Sequence, residues 1–196
     1  MVEGGGAPSQ ATGPTDEEIV AAIASGDTRV AAALYDRVAV VVDRTMYRVF
    51  GRREHDHDDL VQTAFEQIVR SLAREKFAGA CSLTTWASTL ATHVGLNALR
   101  SRQRERKVVN RDATPPDPEG RDVEREIHAR AELEAVRDAL AAMAPEKAET
   151  LFLHDVEGLD LAEIATLTRV TVAAAQSRLV RARRELAERV NGGDHE

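Results

Sequence analysis

The chain has 196 residues, enough for one domain or two small ones, and a formal net charge of −7. Hydrophobic residues make up 43% and aromatic residues only 4%, so any core must be built from Leu, Val, Ile and Ala. A single cysteine, Cys81, excludes an internal disulfide and a cysteine-based zinc cluster, and no run approaches the roughly 18 apolar residues of a membrane span.

Residues 1–14 are Gly, Pro, Ser and Ala with little to bury, and are expected to be a disordered tail. They lack the basic start and apolar run of a signal peptide, and a cytoplasmic protein is expected. Thr15 and Glu18 form a capping box that opens a short helix carrying Ile19, Val20 and Ile23. It stops near Ser25, Gly26 and Asp27. A second helix follows through Val30, Leu34, Val38, Val41, Met46 and Val49 and ends around Gly51.

Residues 52–59 read RREHDHDD. Asp56, Asp58 and Asp59 precede the apolar series Leu60, Ala64, Phe65, Ile68, Val69 and Leu72. Acidic groups at that place can cap free N–H groups and meet the positive end of the helix dipole. The sharper alternative is a mixed His/carboxylate metal site built on His55, His57 and the aspartates. The spacing favours the helix start, and no metal is expected.

A loop over residues 76–82 contains Gly79. The next helix is predicted over residues 83–107, with Trp86, Leu90, Val94 and Leu99 near one face. Thr84, Thr85, Ser88, Thr89, Thr92, His93 and Asn97 make the remainder unusually polar. The helix ends in a basic segment: residues 97–107 carry five cations against one acid, a net +4. A core helix with a wet side would look like this. So would a surface on which bases stack while arginines hold phosphates.

Pro115, Pro116, Pro118 and Gly120 disfavour helix and strand, and residues 110–126 carry three cations against six acids, a net −3. Residues 108–122 therefore read as an acidic, Pro-rich linker between domains. Helices are predicted over 123–143 and 146–156. Asp160 with Glu163 makes a second capping box, followed by Leu161, Ile164, Ala165 and Leu167 at helical spacing. Thr171 can cap a last helix whose apolar side runs through Val172, Ala175, Leu179, Ala182 and Leu186. Gln176, Ser177, Arg178, Arg181, Arg183 and Arg184 offer donors elsewhere on it. Two helices joined by a tight turn, the second polar and cationic, have the layout of a helix-turn-helix. An ordinary amphipathic hairpin with a solvated basic face is the plainer alternative. No strand pattern is convincing. The expected fold is all-α: a helical domain over 15–107, the linker, a helix-turn-helix domain over 123–190 and a polar end over 191–196.

Several motifs occur together in order: Asp56-His57-Asp58-Asp59-Leu60-Val61-Gln62, Thr84-Thr85-Trp86, the Pro-containing linker, Glu163-Ile164-Ala165, and Ser177-Arg178-Leu179 with Arg181. Over residues 16–190 the chain resembles a bacterial RNA polymerase sigma factor of the two-domain extracytoplasmic-function (ECF) class. The resemblance implies that Asp56, Asp59, Leu60, Gln62 and Phe65 bind the clamp helices of core RNA polymerase. It implies that the loop over 77–83 with Thr84, Thr85, Trp86, Thr89, His93 and Asn97 opens the promoter −10 element and traps extruded bases, Arg100 and Arg102 lying on the backbone. Thr171, Ala174, Gln176, Ser177, Arg178, Arg181 and Arg184 are the implied readers of the −35 element in the major groove. The chain departs from the family pattern at Thr84 (usually Arg), His93 (usually Asn), Arg169 (usually Gly), Ala174 (usually Thr) and Gln176 (usually Lys).

The function so implied is promoter recognition and DNA melting at transcription initiation, with core polymerase, promoter DNA and an anti-sigma factor as partners. No nucleophile–base pair or phosphate loop stands out, so neither an enzyme nor a cofactor is expected. The departures motivate an alternative: a sigma-like regulator that binds polymerase or an anti-sigma factor without reading promoters.

Overall fold

Helix-start chemistry accounts for the first element. In α1 (Asp16–Ala24), Thr15 Oγ1 accepts from the Glu18 N–H while the Glu18 carboxylate takes the Thr15 N–H. The computed structural model describes residues 13–109 and 121–192. Among them the secondary structure is helical throughout, so the expected fold class is found. The tails over 1–12 and 193–196, and the proline-rich part of the expected linker over 110–120, lie outside the described residues.

A 3-10 turn over Thr28–Val30 leads into α2 (Ala31–Phe50), which ends on Gly51 at φ 66°. A left-handed residue there suits glycine. A Cβ at Gly51 would also strike the Arg137 guanidinium. Next come α3 (His57–Leu72) and α4 (Leu83–Val109). Gly95 of α4 lies against Val49 of α2, and a Cβ there would sit 3.0–3.3 Å from its side chain. The small residue is what lets the two long helices approach so closely. Ile19, Leu34, Val38, Met46, Ile68, Leu72 and Leu83 are fully buried between these helices. Each such side chain contributes about 1.5–3 kcal/mol of burial.

The second half comprises α5 (Arg121–Ala142), α6 (Pro145–Asp155), α7 (Leu161–Thr168) and α8 (Val172–Asn191). Its own small cluster is Leu153, Ile164, Ala165 and Ala175. The larger core does not stop at the first half. It continues through Leu140, Met143, Ala148, Leu151, Phe152, Leu179 and Ala182, so α4 is flanked by α5 and α6 as well as by α2 and α3.

Two local expectations need correcting. Asp56 sits at the N-cap of α3 but makes no side-chain cap bond. Its carboxylate is drawn instead to Arg102 of α4. Val172 does not continue the apolar side of α8, because it is 48% exposed.

Candidate nucleic-acid interface

The helix-turn-helix is built from local signals. The Asp160 carboxylate accepts from the Ala162 and Glu163 N–H groups at 2.8 Å, and the Glu163 side chain closes the box. α7 then ends on Arg169 at φ 56°, ψ 47°. The turn thus keeps the left-handed form that usually takes glycine, at a cost of about 1 kcal/mol for a side-chain-bearing residue. The backbone compensates: the Val170 N–H donates to the Ala165 carbonyl at 2.9 Å. Thr171 Oγ1 caps α8 by accepting from the Ala174 N–H at 3.1 Å.

On α8 the expected −35 readers separate by exposure. Thr171, Gln176, Ser177, Arg181 and Arg184 are exposed, whereas Ala174 and Arg178 are half-buried. Val180 is open as well, at 61% exposure. Apolar residues on a reading face can meet thymine methyl groups. The sequence reading missed Val180, since helical spacing alone does not reveal which side a helix turns to water. Arg181 folds back onto the Ser177 carbonyl, and Arg183 is tied to Asp155 at the end of α6. That hydrogen bond to Arg183 is the main reason the Asp155 carboxyl lies below its ordinary pKa.

The expected −10 face is more enclosed. Trp86 is half-buried and meets Phe77 edge-on at 5.3 Å between ring centroids. Thr84 and Thr85 are half-buried at the start of α4, their hydroxyls within 2.9 Å of Ser82 Oγ. Thr89 is buried, its hydroxyl donating to the Thr85 carbonyl. His93 and Asn97 are exposed. Arg100 donates to Asn97 Oδ1 at 2.8 Å, but its Nε and Nη2 are buried with no hydrogen-bond partner. Burial lowers the Arg100 pKa, against the pull of Glu149 and Glu146. Arg102 is engaged within the fold: it pairs with Asp56 and lies over the Phe50 ring at 4.4 Å. Burial alone would raise the Asp56 carboxyl, but Arg102 holds it below its ordinary value.

The residues expected to meet polymerase are divided as well. Asp59 and Gln62 are exposed on α3. Leu60 and Phe65 are half-buried and pack on the core, Phe65 meeting Tyr35 at 5.4 Å. His57, considered above as a metal ligand, is buried with its Nε2 2.9 Å from Asp43 Oδ1. Among the described residues no three His, Cys, Asp or Glu side chains converge as a metal site, and no helix is long and apolar enough to cross a membrane.

Comparison with known proteins matches the two halves in order. Residues 34–105 match the model of sigma-70 region 2, and residues 133–186 that of sigma-70 region 4. The chain is 29% identical to the ECF RNA polymerase sigma factor SigE of Mycolicibacterium smegmatis, over 89% of this chain and 69% of that protein. It is 33% identical to the ECF sigma factor SigG of Mycobacterium tuberculosis, over 71% of this chain but only 43% of that longer protein. It is 28% identical to the ECF sigma-E factor of Haemophilus influenzae, over 90% of this chain and 95% of that protein. The solved structure of CnrH in complex with the cytosolic domain of CnrY shares the fold, with a TM-score of 0.52 and 24% identity over 90% of this chain and 97% of that one. With both sigma-70 regions present in order on its two helical halves, the chain belongs to the ECF class of RNA polymerase sigma factors.

Proposed function

We propose that this chain directs core RNA polymerase to a promoter class and opens the −10 element for initiation. The pairing of region 2 on α2–α4 with region 4 on α5–α8 carries the reading. In the proposed division of labour, the open face of α3 around Asp59 and Gln62 docks on polymerase. The end of the loop at Phe77–Trp86 with His93 and Asn97 holds extruded non-template bases. The exposed face of α8 enters the −35 major groove, where Gln176 is suited to pair with adenine and Val172 and Val180 to meet thymine methyls. Phosphate contacts fall to the arginines. A net charge of −7 fits a protein that binds DNA chiefly when polymerase presents it.

Core polymerase and promoter DNA are the partners of this activity, in the cytoplasm. An anti-sigma factor is proposed as a further partner, by analogy with the CnrH complex. Transcription by core polymerase reconstituted with this protein on fragmented genomic DNA tests the reading. A discrete set of start sites is expected. Binding to core with no start site would favour the alternative of a regulator that does not read promoters, which the half-buried Ala174 and Arg178 of α8 would suit.

A further inference from the structure

We propose that the −35 element read by this chain is a short A·T run in which the Gln176 amide selects an adenine and the apolar side chains around it take the methyl groups of neighbouring thymines. This deepens the promoter reading proposed above and rests on it.

The first observation is what the open side of α8 leaves free. Gln176 is exposed, and among the described residues no hydrogen bond engages its amide. The cations of the helix and its capping threonine are engaged or turned inward. Thr171 spends its hydroxyl on the Ala174 N–H. Arg181 Nε donates to the Ser177 carbonyl at 3.0 Å, Arg183 Nε to Asp155 at 3.0 Å and Arg189 Nη2 to Glu185 at 2.9 Å. Arg184 lies 3.6 Å from Glu188, and Arg178 is half-buried. Arginine held bidentately on guanine is the commonest specific base contact. Here each exposed guanidinium must first give up a partner within the protein, whereas the amide gives up none. An amide accepts and donates side by side, which matches N6 and N7 of adenine. The Ser177 hydroxyl pairs with either kind of base and does not discriminate.

The second observation is what surrounds that amide. Val172 and Ala173 stand four and three residues before Gln176 and Val180 four after it, separations at which side chains are neighbours on a helix surface. All three are open to water, Val172 at 48% and Val180 at 61%, while Ala175, Leu179 and Ala182 hold the buried side. Neither valine belongs to a core cluster of the fold. An apolar side chain in the major groove gains from a thymine methyl. Opposite it, the amino group of cytosine or the acceptors of guanine would lose water with no partner to replace it. From Val172 to Val180 the helix rises about 12 Å, the length of about three to four base pairs. The face therefore sets one hydrogen-bonding reader of adenine among methyl readers, and it selects against G·C pairs across that run.

The test uses core polymerase reconstituted with the full chain. Start sites are mapped on genomic DNA, and the duplex upstream of them is aligned over the −35 region. An A·T run of that length, with one adenine common to the set, is expected. The strongest of these promoters is then rebuilt with deoxyuridine for each thymine of the run in turn, which removes only the C5 methyl. At the thymine facing Val180 the loss should weaken holoenzyme binding by about fourfold. With Val180→Ala in the chain the same replacement should cost less than about twofold. Gln176→Lys should shift the preference at the common adenine toward guanine by about tenfold. The deoxyuridine series on the original chain alters only the DNA, so it decides the matter even where a variant fails to fold. Discrete start sites with G·C pairs across the −35 run, or deoxyuridine without penalty at every thymine, would overturn the inference and leave the proposed function standing. So would a penalty equal in the original chain and Val180→Ala, or a Gln176→Lys chain that still prefers adenine. Binding to core with no start site would refute the proposed function itself, and this inference with it.

Discussion

α4 and α8 are the two long helices expected to face promoter DNA, and they meet opposite fates. α4, of 27 residues, is packed by α2, α3, α5 and α6, and up to residue 103 it opens to water only at His93 and Asn97, residues 104–108 being exposed. α8, of 20 residues, buries Ala175, Leu179 and Ala182 and leaves a broad face to water. Both are polar and cationic in sequence. The difference lies in their neighbours: α4 carries small residues, Ala87, Ala91 and Gly95, that admit close helices, while Arg102 pairs with Glu54 and Asp56 ahead of α3 and Arg106 with Glu134 and Asp138 of α5. On α8, Arg184 and Arg189 pair within the helix, with Glu188 and Glu185, and Arg183 reaches across to Asp155. A cationic helix is therefore a reading surface only to the extent that its own fold leaves its donors unspent.

The largest expected break in this comparison is in the core beneath α8. Ile164 is fully buried in a cluster of only four residues. Ile164→Ala should cost about 2–5 kcal/mol, and amide exchange should accelerate in α7 and α8 well before α2 and α3. Equal acceleration in both halves would mean that the shared core makes them one cooperative unit.

Removing the guanidinium that ties α4 to α3 should have the next largest effect. Arg102→Ala loses the ion pair to Asp56 and the stack on Phe50, and should cost about 1–3 kcal/mol in denaturant unfolding. The pH dependence gives a second reading. The folded-state pKa of Asp56 is depressed, so its contribution is present above the unfolded value and lost as pH falls through the folded one. Arg102→Ala should flatten that acid limb. If the limb is unchanged, other carboxylates set it.

Relieving the left-handed turn is a smaller change of opposite sign. Arg169→Gly should raise stability by about 1 kcal/mol, read as a higher midpoint in thermal unfolding. A lower midpoint would show that the Arg169 side chain contributes more than its backbone costs.

The smallest effect concerns Glu149. Burial raises its carboxyl, Glu146 adds to the rise, and His93, Arg100 and Arg178 oppose it. A raised acid favours the packed form below its unfolded pKa, and that contribution is lost as pH rises through the folded value. Stability in denaturant unfolding should therefore decline slightly with rising pH over that window, and Glu149→Gln should remove the trend. A trend that survives the substitution would assign it to another group between the two halves.

Much of the architecture was legible because its determinants are local. Thr15 with Glu18, Asp160 with Glu163, and Thr171 with the Ala174 N–H each meet across three residues, and all three caps form as read. Asp56 was misread as a cap because its partner, Arg102, lies 46 residues away. Glu157 and Thr45 carry no local signal at all: an acid in a loop and a threonine in a helix gain meaning only when 112 residues of separation are closed.

The sequence by itself therefore determined the helices, their caps, the helix-turn-helix and, through the order of its motifs, the family. These follow from hydrogen bonds and apolar spacing within a few residues of each other. Tertiary structure alone decided which of the two helices expected to face DNA is open. It set Arg102 on Asp56, buried Thr89 and left Arg100 half-buried, turned Val172 outward and carried the core from one half into the other. Exposure of a polar side chain depends on which acids and apolar faces arrive from distant segments, and nothing in its immediate neighbours in sequence specifies that.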